Sequence, residues 1–317
     1  EACVSDAEAE EYRQRYLDLL INLPEHVAAW QENLILEQDH LGPIPRTNIS
    51  IKISSLFANT DPIAHDVSVQ GLFDALKPIL EEAEKNGTLI NFDMEQFEYK
   101  DLTLNLFMKC CDEINFPAGL AMQAYLRSGD EDAKTISDWA KRTGRIVTVR
   151  LVKGAYWDYE TIHAEEMGWP VPVWSRKVDT DACFERMAAI FIESTPTTND
   201  EGGVKLALGS HNIRSIATAL ALIEKRNLPK SALEIQMLRG MADQLKAAVI
   251  QDGLRLREYV PVGEMIPGMA YLVRRLLENT SNESWLRSSF VDDADSSLLL
   301  ASPHVTHSDV DPGVERI

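Results

Sequence analysis

The chain has no apolar run that approaches the roughly 20 residues of a membrane-spanning helix, and no signal peptide opens it. We therefore expect a soluble protein. Basic residues are scarce, with 31 Lys and Arg against 50 Asp and Glu, which gives a net charge of −19 over 317 residues. Because a phosphate backbone needs a basic face, this acidity disfavours nucleic-acid binding, and we expect no nucleic-acid partner.

Cysteine is also rare, with four in the whole chain. Cys110 and Cys111 are adjacent, whereas Cys3 and Cys183 are isolated, so no CxxC spacing of a zinc or redox site is present. We predict reduced, packed thiols in a reducing compartment. No acids and histidines have metal-ligand spacing, so we expect no metal site.

Several catalytic motifs are missing as well. The sequence has no GxGxxG after a strand, no GxxxxGK[ST], no GxSxG and no HExxH. It therefore signals neither a Rossmann dinucleotide site nor a P-loop, and neither a serine-hydrolase elbow nor a zinc-protease helix.

The chain does contain short runs of β-forming residues that alternate with amphipathic helical stretches. The strands are predicted at Asn48–Ser54, Leu89–Met94, Gly119–Tyr125, Arg145–Val152, Val204–His211, Leu233–Leu238 and Leu256–Val262. The helices include Val67–Lys85, Gln96–Glu113, Asp179–Ser194 and Ile213–Lys225.

This alternation predicts parallel strands joined by crossover helices. Seven strands are too many for a small doubly wound domain and one fewer than a (β/α)8 barrel needs. Since the chain begins with Glu1 rather than Met, we expect a segment of a longer protein with the missing strand upstream. The favoured fold is an α/β (β/α)8 TIM-type barrel, and an open doubly wound sheet is the alternative.

The two faces of these strands differ in polarity. In Leu233–Leu238, Ile235 and Met237 lie opposite Glu234 and Gln236, and other strands also carry a polar residue near the carboxyl end. Barrel enzymes place their chemistry at the carboxyl ends of the strands. The pattern therefore predicts an enzyme.

The character of the chain changes near residue 291. The stretch 291–317 is acidic and has no helical period, which predicts a linker or flexible tail after a barrel domain at 1–290. His304 and His307 lie in this stretch, and we expect both to be solvated.

One helical segment, residues 271–278, brings Tyr271, Arg274, Arg275 and Glu278 to one face. Two adjacent guanidinium groups can bind a carboxylate in bidentate geometry. The alternative interpretation is an exposed surface with Arg–Glu pairs of small energetic value.

A second segment, Arg150–Trp157 (RLVKGAYW), lies at a predicted strand end. Its glycine permits close approach of a ligand to the backbone, and its aromatic residues offer flat surfaces. The alternative is a strand-end turn with packing aromatics. Arg176-Lys177 and Ser210-His211-Asn212 suit a phosphate group, although His211 also fits a core histidine.

These two motifs, with the strand ends at Lys52, Asp93 and Gln123, resemble proline dehydrogenase, and most closely the flavin domain of bifunctional bacterial enzymes of the proline utilization A type. The resemblance runs from about Glu1 to Phe290. It implies a distorted (β/α)8 barrel that binds FAD without a Rossmann fold. It also implies oxidation of L-proline to Δ1-pyrroline-5-carboxylate, by hydride transfer from C5 to flavin N5.

The resemblance also implies partners and a location. Electrons would pass to a membrane quinone, an aldehyde dehydrogenase domain would follow toward the C-terminus of the full protein, and the protein would be cytoplasmic with peripheral attachment to the inner membrane.

Site residues carried over by motif fall into groups. Arg274 and Arg275 would hold the proline carboxylate, oriented by Glu278 and Glu1. The substrate side would be lined by Lys52, Asp93, Leu238, Tyr259 and Tyr271, with Ala155 and Tyr156 near the proline ring. The flavin side would comprise Gln123, Arg150, Val152, Lys153, Gly154, Trp157, Arg176, Lys177, His211, Asn212 and Gln236, and Glu278 would also reach it. The catalytic roles would belong to Lys52, Asp93, Arg150 and Tyr259.

Two other functions remain open from the residues. A barrel enzyme could form a Schiff base through Lys52 or Lys153. A non-catalytic interaction domain could instead dock partners through the acidic tail.

Overall fold

The computed structural model describes residues 2–263, 266, 268, 269, 271–273 and 300–304 of the chain. Within these residues helices and strands alternate. The helices are α1 (Asp6–Ala28), α2 (Leu34–Glu37), α3 (His65–Asn86), α4 (Lys100–Glu113), α5 (Gly129–Thr143), α6 (Trp157–Met167), α7 (Lys177–Glu193), α8 (Ile213–Lys225) and α9 (Asp243–Gln251). The strands are β1 (Gln38–Asp39), β2 (Gly42–Pro43), β3 (Asn48–Ile51), β4 (Leu89–Phe92), β5 (Ala118–Gln123), β6 (Ile146–Val152), β7 (Gly203–Gly209), β8 (Leu233–Leu238) and β9 (Arg255–Tyr259).

The main sheet has seven strands in the order β3-β4-β5-β6-β7-β8-β9, which is also their order along the chain. A doubly wound sheet reverses its strand order at a switch point, whereas a barrel adds each strand beside the previous one. The sequential order therefore excludes the doubly wound alternative and agrees with the predicted barrel.

The predicted element boundaries are close to those observed. The strand Leu233–Leu238 and the helix Ile213–Lys225 have the predicted ends. The strand predicted at Asn48–Ser54 ends at Ile51, because Ile53–Ser55 form a 3-10 turn. The strand predicted to end at Val262 ends at Tyr259.

The chain divides into two compact units, of which the first contains the described residues of Glu1–Met122 with Asp138–Val149 and Pro196–Val204. In this unit α1 contacts α3, and the Asn86 side chain donates to the Leu20 carbonyl over 2.8 Å. Phe107 makes edge contacts with Phe92 at 5.4 Å and with Trp139 at 5.9 Å between ring centres. These buried rings form an aromatic core under β4 and α4.

The second unit contains Gln123–Ser137, Arg150–Thr195 and the described residues of Lys205–Ile317. Here α7 contacts α8, and α8 begins at a cap in which the Asn212 side chain accepts from the Arg214 N–H over 2.9 Å. Because β8 and β9 pair in register, Glu234 lies beside Arg255, Gln236 beside Arg257 and Leu238 beside Tyr259. Residues paired in register lie on the same face of a sheet, so the polar residues of β8 lie beside the arginines of β9 on one face.

The four cysteines are buried, and none forms a disulfide. Burial raises the pKa of the Cys111 and Cys183 thiols to about 12. The prediction of packed, free thiols is confirmed. No helix in the described residues is both long and apolar enough to cross a bilayer.

Residues 300–304, which belong to the second unit, contact its helices α7 and α8. His304 Nε2 lies 3.0 Å from a carboxylate oxygen of Glu185, and Arg214 donates to the Leu300 carbonyl over 2.6 Å. His304 is exposed, as predicted, and its imidazole also contacts the carboxylate of Glu185, a buried residue on α7. His307 and the boundary near residue 290 lie outside the described residues, so the domain boundary stays a prediction.

Candidate functional site

Lys52 and Asp93 directly follow two paired strands of the first unit. Ile51 at the end of β3 is in register with Phe92 at the end of β4, so the next residue of each strand emerges at the same edge. The Asp93 N–H donates to the Ile51 carbonyl over 2.9 Å, and the Asn91 side chain donates to Asp93 Oδ1 over 3.3 Å. A base and an acid thus occupy adjacent strand ends, as predicted.

The turn after β3 is held by buried side chains of the same unit. Glu95, which is buried, accepts from the Ser54 N–H over 3.1 Å and from the Ser54 hydroxyl over 2.6 Å. The Lys52 N–H donates to the Tyr16 hydroxyl oxygen over 3.2 Å, and burial raises the pKa of that hydroxyl. These contacts fix the backbone from which Lys52 projects.

In the second unit, Arg150 near the end of β6 contacts residues of β8 and β9. Its Nε donates to Gln236 Oε1 over 2.7 Å, and its guanidinium carbon lies 5.2 Å from the centre of the Tyr259 ring. The Tyr259 ring in turn lies 6.2 Å from that of Tyr271. Four predicted site residues that are far apart in sequence therefore form one connected group. Arg150 itself is only 8% exposed.

Glu234 on β8 is a buried carboxylate next to this group. It accepts from Gln236 Nε2 over 2.7 Å, from Arg255 Nε over 3.0 Å and from Arg257 Nε over 2.8 Å. Burial alone would raise the pKa of Glu234, but the two guanidinium groups outweigh it and hold the pKa at about 2. Glu234 is therefore ionised at neutral pH.

A second charged cluster joins Lys153, after β6, to the start of α7. Lys153 and Lys177 both form ion pairs with Asp181, the latter at 2.5 Å. Burial lowers the pKa of Lys153, whereas the two lysines lower the pKa of Asp181 against its burial. The pair with Asp181 favours the charged form of Lys153 but offsets only part of the effect of burial. Arg176, which precedes Lys177, donates two hydrogen bonds to the Asp179 carboxylate, from Nε over 2.6 Å and from Nη2 over 2.8 Å.

The segment between β6 and α6 requires its glycine. Gly154 has a φ of +131°, and an added Cβ would lie 2.5 Å from the Tyr125 ring. The Tyr125 N–H donates to the Lys153 carbonyl over 2.7 Å, which brings the two backbones together. Trp157 begins α6 and donates its indole N–H to the Trp174 carbonyl over 2.8 Å.

Other predicted residues also lie at strand ends of the second unit. The Leu238 N–H donates to His211 Nε2 over 3.3 Å, so His211 bridges from the end of β7 to the end of β8. Gln123 ends β5 and is buried, and Val152 ends β6. Ala155 is exposed and Tyr156 is half-buried in the turn that follows β6.

The predicted carboxylate-binding residues Arg274 and Arg275, together with Glu278 and Glu1, lie outside the described residues. Tyr271, three residues before this pair, is described and is helical. The roles of these four residues stay predictions.

The site geometry can now be set beside known proteins. A family profile described as proline dehydrogenase matches residues 1–288. The chain belongs to the proline dehydrogenase family. The predicted family membership and fold class are thereby confirmed.

Two bifunctional relatives of this proline dehydrogenase domain are larger proteins. The chain is 33% identical over 267 residues to the bifunctional protein PutA of Escherichia coli, a match that covers 80% of this chain and 19% of the relative. It is 32% identical over 253 residues to bifunctional PutA of Klebsiella aerogenes, covering 75% of this chain and 18% of the relative. The chain thus spans about a fifth of the length of these relatives.

A solved structure of proline utilization A from Bdellovibrio bacteriovorus, inactivated by N-propargylglycine, also matches the proline dehydrogenase domain. It is 42% identical with a TM-score of 0.94, and the match covers 100% of this chain and 33% of that one.

Sequence reasoning missed two carboxylates of this proline dehydrogenase domain that pair with basic side chains, the buried Glu234 and the half-buried Asp181. Each had a usable signal. Lys177 and Asp181 are four residues apart on one helix, a spacing that favours ion pairs. The alternating polar residues of β8 and the alternating arginines of β9 have matching two-residue periods.

Proposed function

We propose that this domain oxidises L-proline to Δ1-pyrroline-5-carboxylate with FAD as its cofactor. The observation that carries the proposal is the group formed by Arg150, Gln236 and Tyr259 at the carboxyl ends of β6, β8 and β9. Membership of the proline dehydrogenase family supports it further.

The residues of the second unit fit FAD by their chemistry. Lys153 and Lys177 supply two cations beside each other, which suits a diphosphate, and Arg176 adds a third nearby. Gly154 leaves backbone next to the Tyr125 ring where a side chain would collide. His211 and Asn212 add polar groups at the end of β7. We assign the cofactor side of the site to these residues together with Gln123, Val152, Trp157 and Gln236.

When bound, FAD would supply the two-electron acceptor for a hydride from proline C5 at flavin N5, while the nitrogen lone pair would form the C=N bond of the product and the N–H proton would be released. The protein must therefore bind the proline carboxylate while favouring the neutral amine. Positive charge from Lys52 and Arg150 disfavours a protonated amine. Arg150 would stabilise charge that develops on the flavin ring.

We assign the substrate side to the aromatic and charged strand ends. The contact between the Tyr259 and Tyr271 rings supports a wall for a small ring, and Leu238 lies beside Tyr259 in the sheet register. Ala155 and Tyr156 would contact the proline ring, with Lys52 and Asp93 as further lining. Arg274 and Arg275 would bind the carboxylate and Glu278 and Glu1 would orient them, which fixes one end of the substrate and lowers the entropic cost of reaction.

The wider setting is also a proposal. The relatives named bifunctional are much longer than this chain, and the match covers about a fifth of their length, which supports an aldehyde dehydrogenase domain beyond it. We propose that the electrons pass to a membrane quinone, and that the protein is cytoplasmic with peripheral attachment to the inner membrane.

The test is the visible absorption spectrum of the purified chain after addition of FAD. We expect a yellow protein that bleaches under anaerobic conditions when L-proline is added. Pyrrolidine, which has the same ring without the carboxylate, is the matched control and should bleach it far more slowly. A colourless protein that does not bind FAD, or a flavoprotein that proline does not bleach, would contradict the proposal.

A further inference from the structure

We propose that Glu234 is a positioning residue that acts through Gln236 to hold the Arg150 guanidinium in place for the reaction. The inference rests on the proposed function, because Arg150 acts on the flavin in that proposal. It adds a residue that belongs to none of the substrate or cofactor contacts assigned above.

The argument begins with the Gln236 amide, which has one donating end and one accepting end. An ionised carboxylate only accepts, so the Gln236 Nε2 must face Glu234, and it does so at 2.7 Å. Its Oε1 is then turned to Arg150, where it accepts from Nε over 2.7 Å. The opposite amide orientation would set a donor against Arg150 and an acceptor against Glu234. Glu234 therefore decides which end of the amide Arg150 meets.

Glu234 is itself held by two arginines of β9. Its Oε2 accepts from Arg255 Nε over 3.0 Å and from Arg257 Nη2 over 3.2 Å, while its Oε1 accepts from Arg257 Nε over 2.8 Å. The contact with Glu234 raises the pKa of Arg257, against the effect of burial. Both carboxylate oxygens thus accept from fixed donors, and Glu234 as a whole is 7% exposed. A carboxylate held in this way is a rigid reference point for Gln236.

The sheet leaves room for Arg150 to reach Gln236. Gly209 on β7 is in register with Gln236 on β8, and it presents no side chain between the two. A Cβ on Gly209 would lie 3.8 Å from Arg150 Cγ, in contact with the arginine stem. The stem of Arg150 therefore passes over a glycine on its way from β6 to β8. Arg150, Gln236, Glu234 and the two arginines of β9 all belong to the second unit.

The experiment compares flavin properties in two variants. Glu234→Gln is isosteric but places an NH2 group against fixed donors whichever way it turns. Glu234→Asp keeps the charge for the arginines but withdraws the carboxylate by about 1.5 Å, the length of one C–C bond. In both variants we expect the FAD midpoint potential to become more negative. We also expect kcat at saturating proline to fall about tenfold, with KM changed less than threefold.

Lys246→Gln is the matched control, because the buried Lys246 forms an ion pair at 2.5 Å with the exposed Glu258 of β9 and does not belong to this chain of hydrogen bonds. It should lower stability and leave the potential unchanged. A Glu234 variant that folds, binds FAD and keeps the parental potential and kcat would overturn the positioning role. If Glu234→Gln does not fold, Glu234→Asp alone decides. Failure of the unmodified chain to bind FAD would overturn the proposed function instead, so the two failures are distinguishable.

Discussion

Arg150 lies face-on to Tyr259, with 5.2 Å between the guanidinium carbon and the ring centre, while its Nε donates to Gln236. This pair of contacts uses properties that lysine lacks, namely a planar cation and a donor on the side-chain stem. The position therefore requires arginine rather than positive charge in general.

Arg150→Lys tests that requirement. The variant retains a charge but loses the planar guanidinium over the Tyr259 ring and the Nε donor. We therefore expect kcat/KM for proline to fall about tenfold or more, equivalent to roughly 1.4 kcal/mol of transition-state stabilisation. The rate at which proline reduces the bound flavin under anaerobic conditions measures this loss. Arg142→Lys, an exposed change in the last turn of α5, is the control. Equal kinetics for both variants would show that charge alone suffices.

Lys177→Met tests the proposed phosphate contacts. It removes one of the two cations that share Asp181, so we expect the Kd for FAD to rise about tenfold and its dependence on salt to weaken. Fluorescence titration of the protein with FAD at several salt concentrations gives both quantities. Lys225→Met, in the last turn of α8, removes an equal charge elsewhere and should change neither. A parental Kd in Lys177→Met would place the diphosphate elsewhere.

The stability of the chain in acid should depend on Glu234. Its pKa is about 2 in the folded chain against an ordinary 4.5, so folding favours the ionised form. The stabilisation is fully present above about pH 4.5 and is lost as pH falls toward 2; the difference corresponds to about 3 kcal/mol. Chemical unfolding between pH 2 and pH 7 should therefore show a gap between the parent and Glu234→Gln that narrows with acidity. A gap that stays constant with pH would contradict this assignment.

Gly209→Ala should disturb Arg150 through packing. The new Cβ would lie 2.8 Å from Val152 Cγ1 and 3.0 Å from the Leu151 carbonyl oxygen, so β6 must shift. We expect a loss of about 1–3 kcal/mol in the free energy of unfolding, together with an altered flavin spectrum. Gly87→Ala is the comparison, because that glycine has a φ of +69° and an added Cβ would have nothing within 4 Å, so the substitution strains the backbone only at the end of α3. Its spectrum should match the parent. An unchanged spectrum in Gly209→Ala would mean that β7 does not support Arg150.

The sequence predicts the elements of this fold well where local signals agree. Helix α8 has its predicted ends because Asn212 caps it and an apolar stripe follows, and β8 is bounded by its own alternation. The predicted strand at Asn48–Ser54 runs too far because its alternation continues through the 3-10 turn. That turn is tied to Glu95, about forty residues away, which no local pattern contains.

The candidate site is predictable in its membership but not in its connections. Arg150, Gln236 and Tyr259 each lie at a recognisable strand end, yet their contact depends on the register of β8 and β9. Glu234 looks like one polar residue among several in the sequence. Only the register, which sets it beside Arg255, turns it into an ionised, fully engaged group.

The contact of residues 300–304 with α7 and α8 bears on how the domain should be excised from a longer polypeptide. A cut before Leu300 would take away the carbonyl that accepts from Arg214 and the imidazole that meets Glu185, and would leave two charged side chains with fewer partners. Truncation for crystallisation or for swapping between multifunctional enzymes is therefore best made after His304.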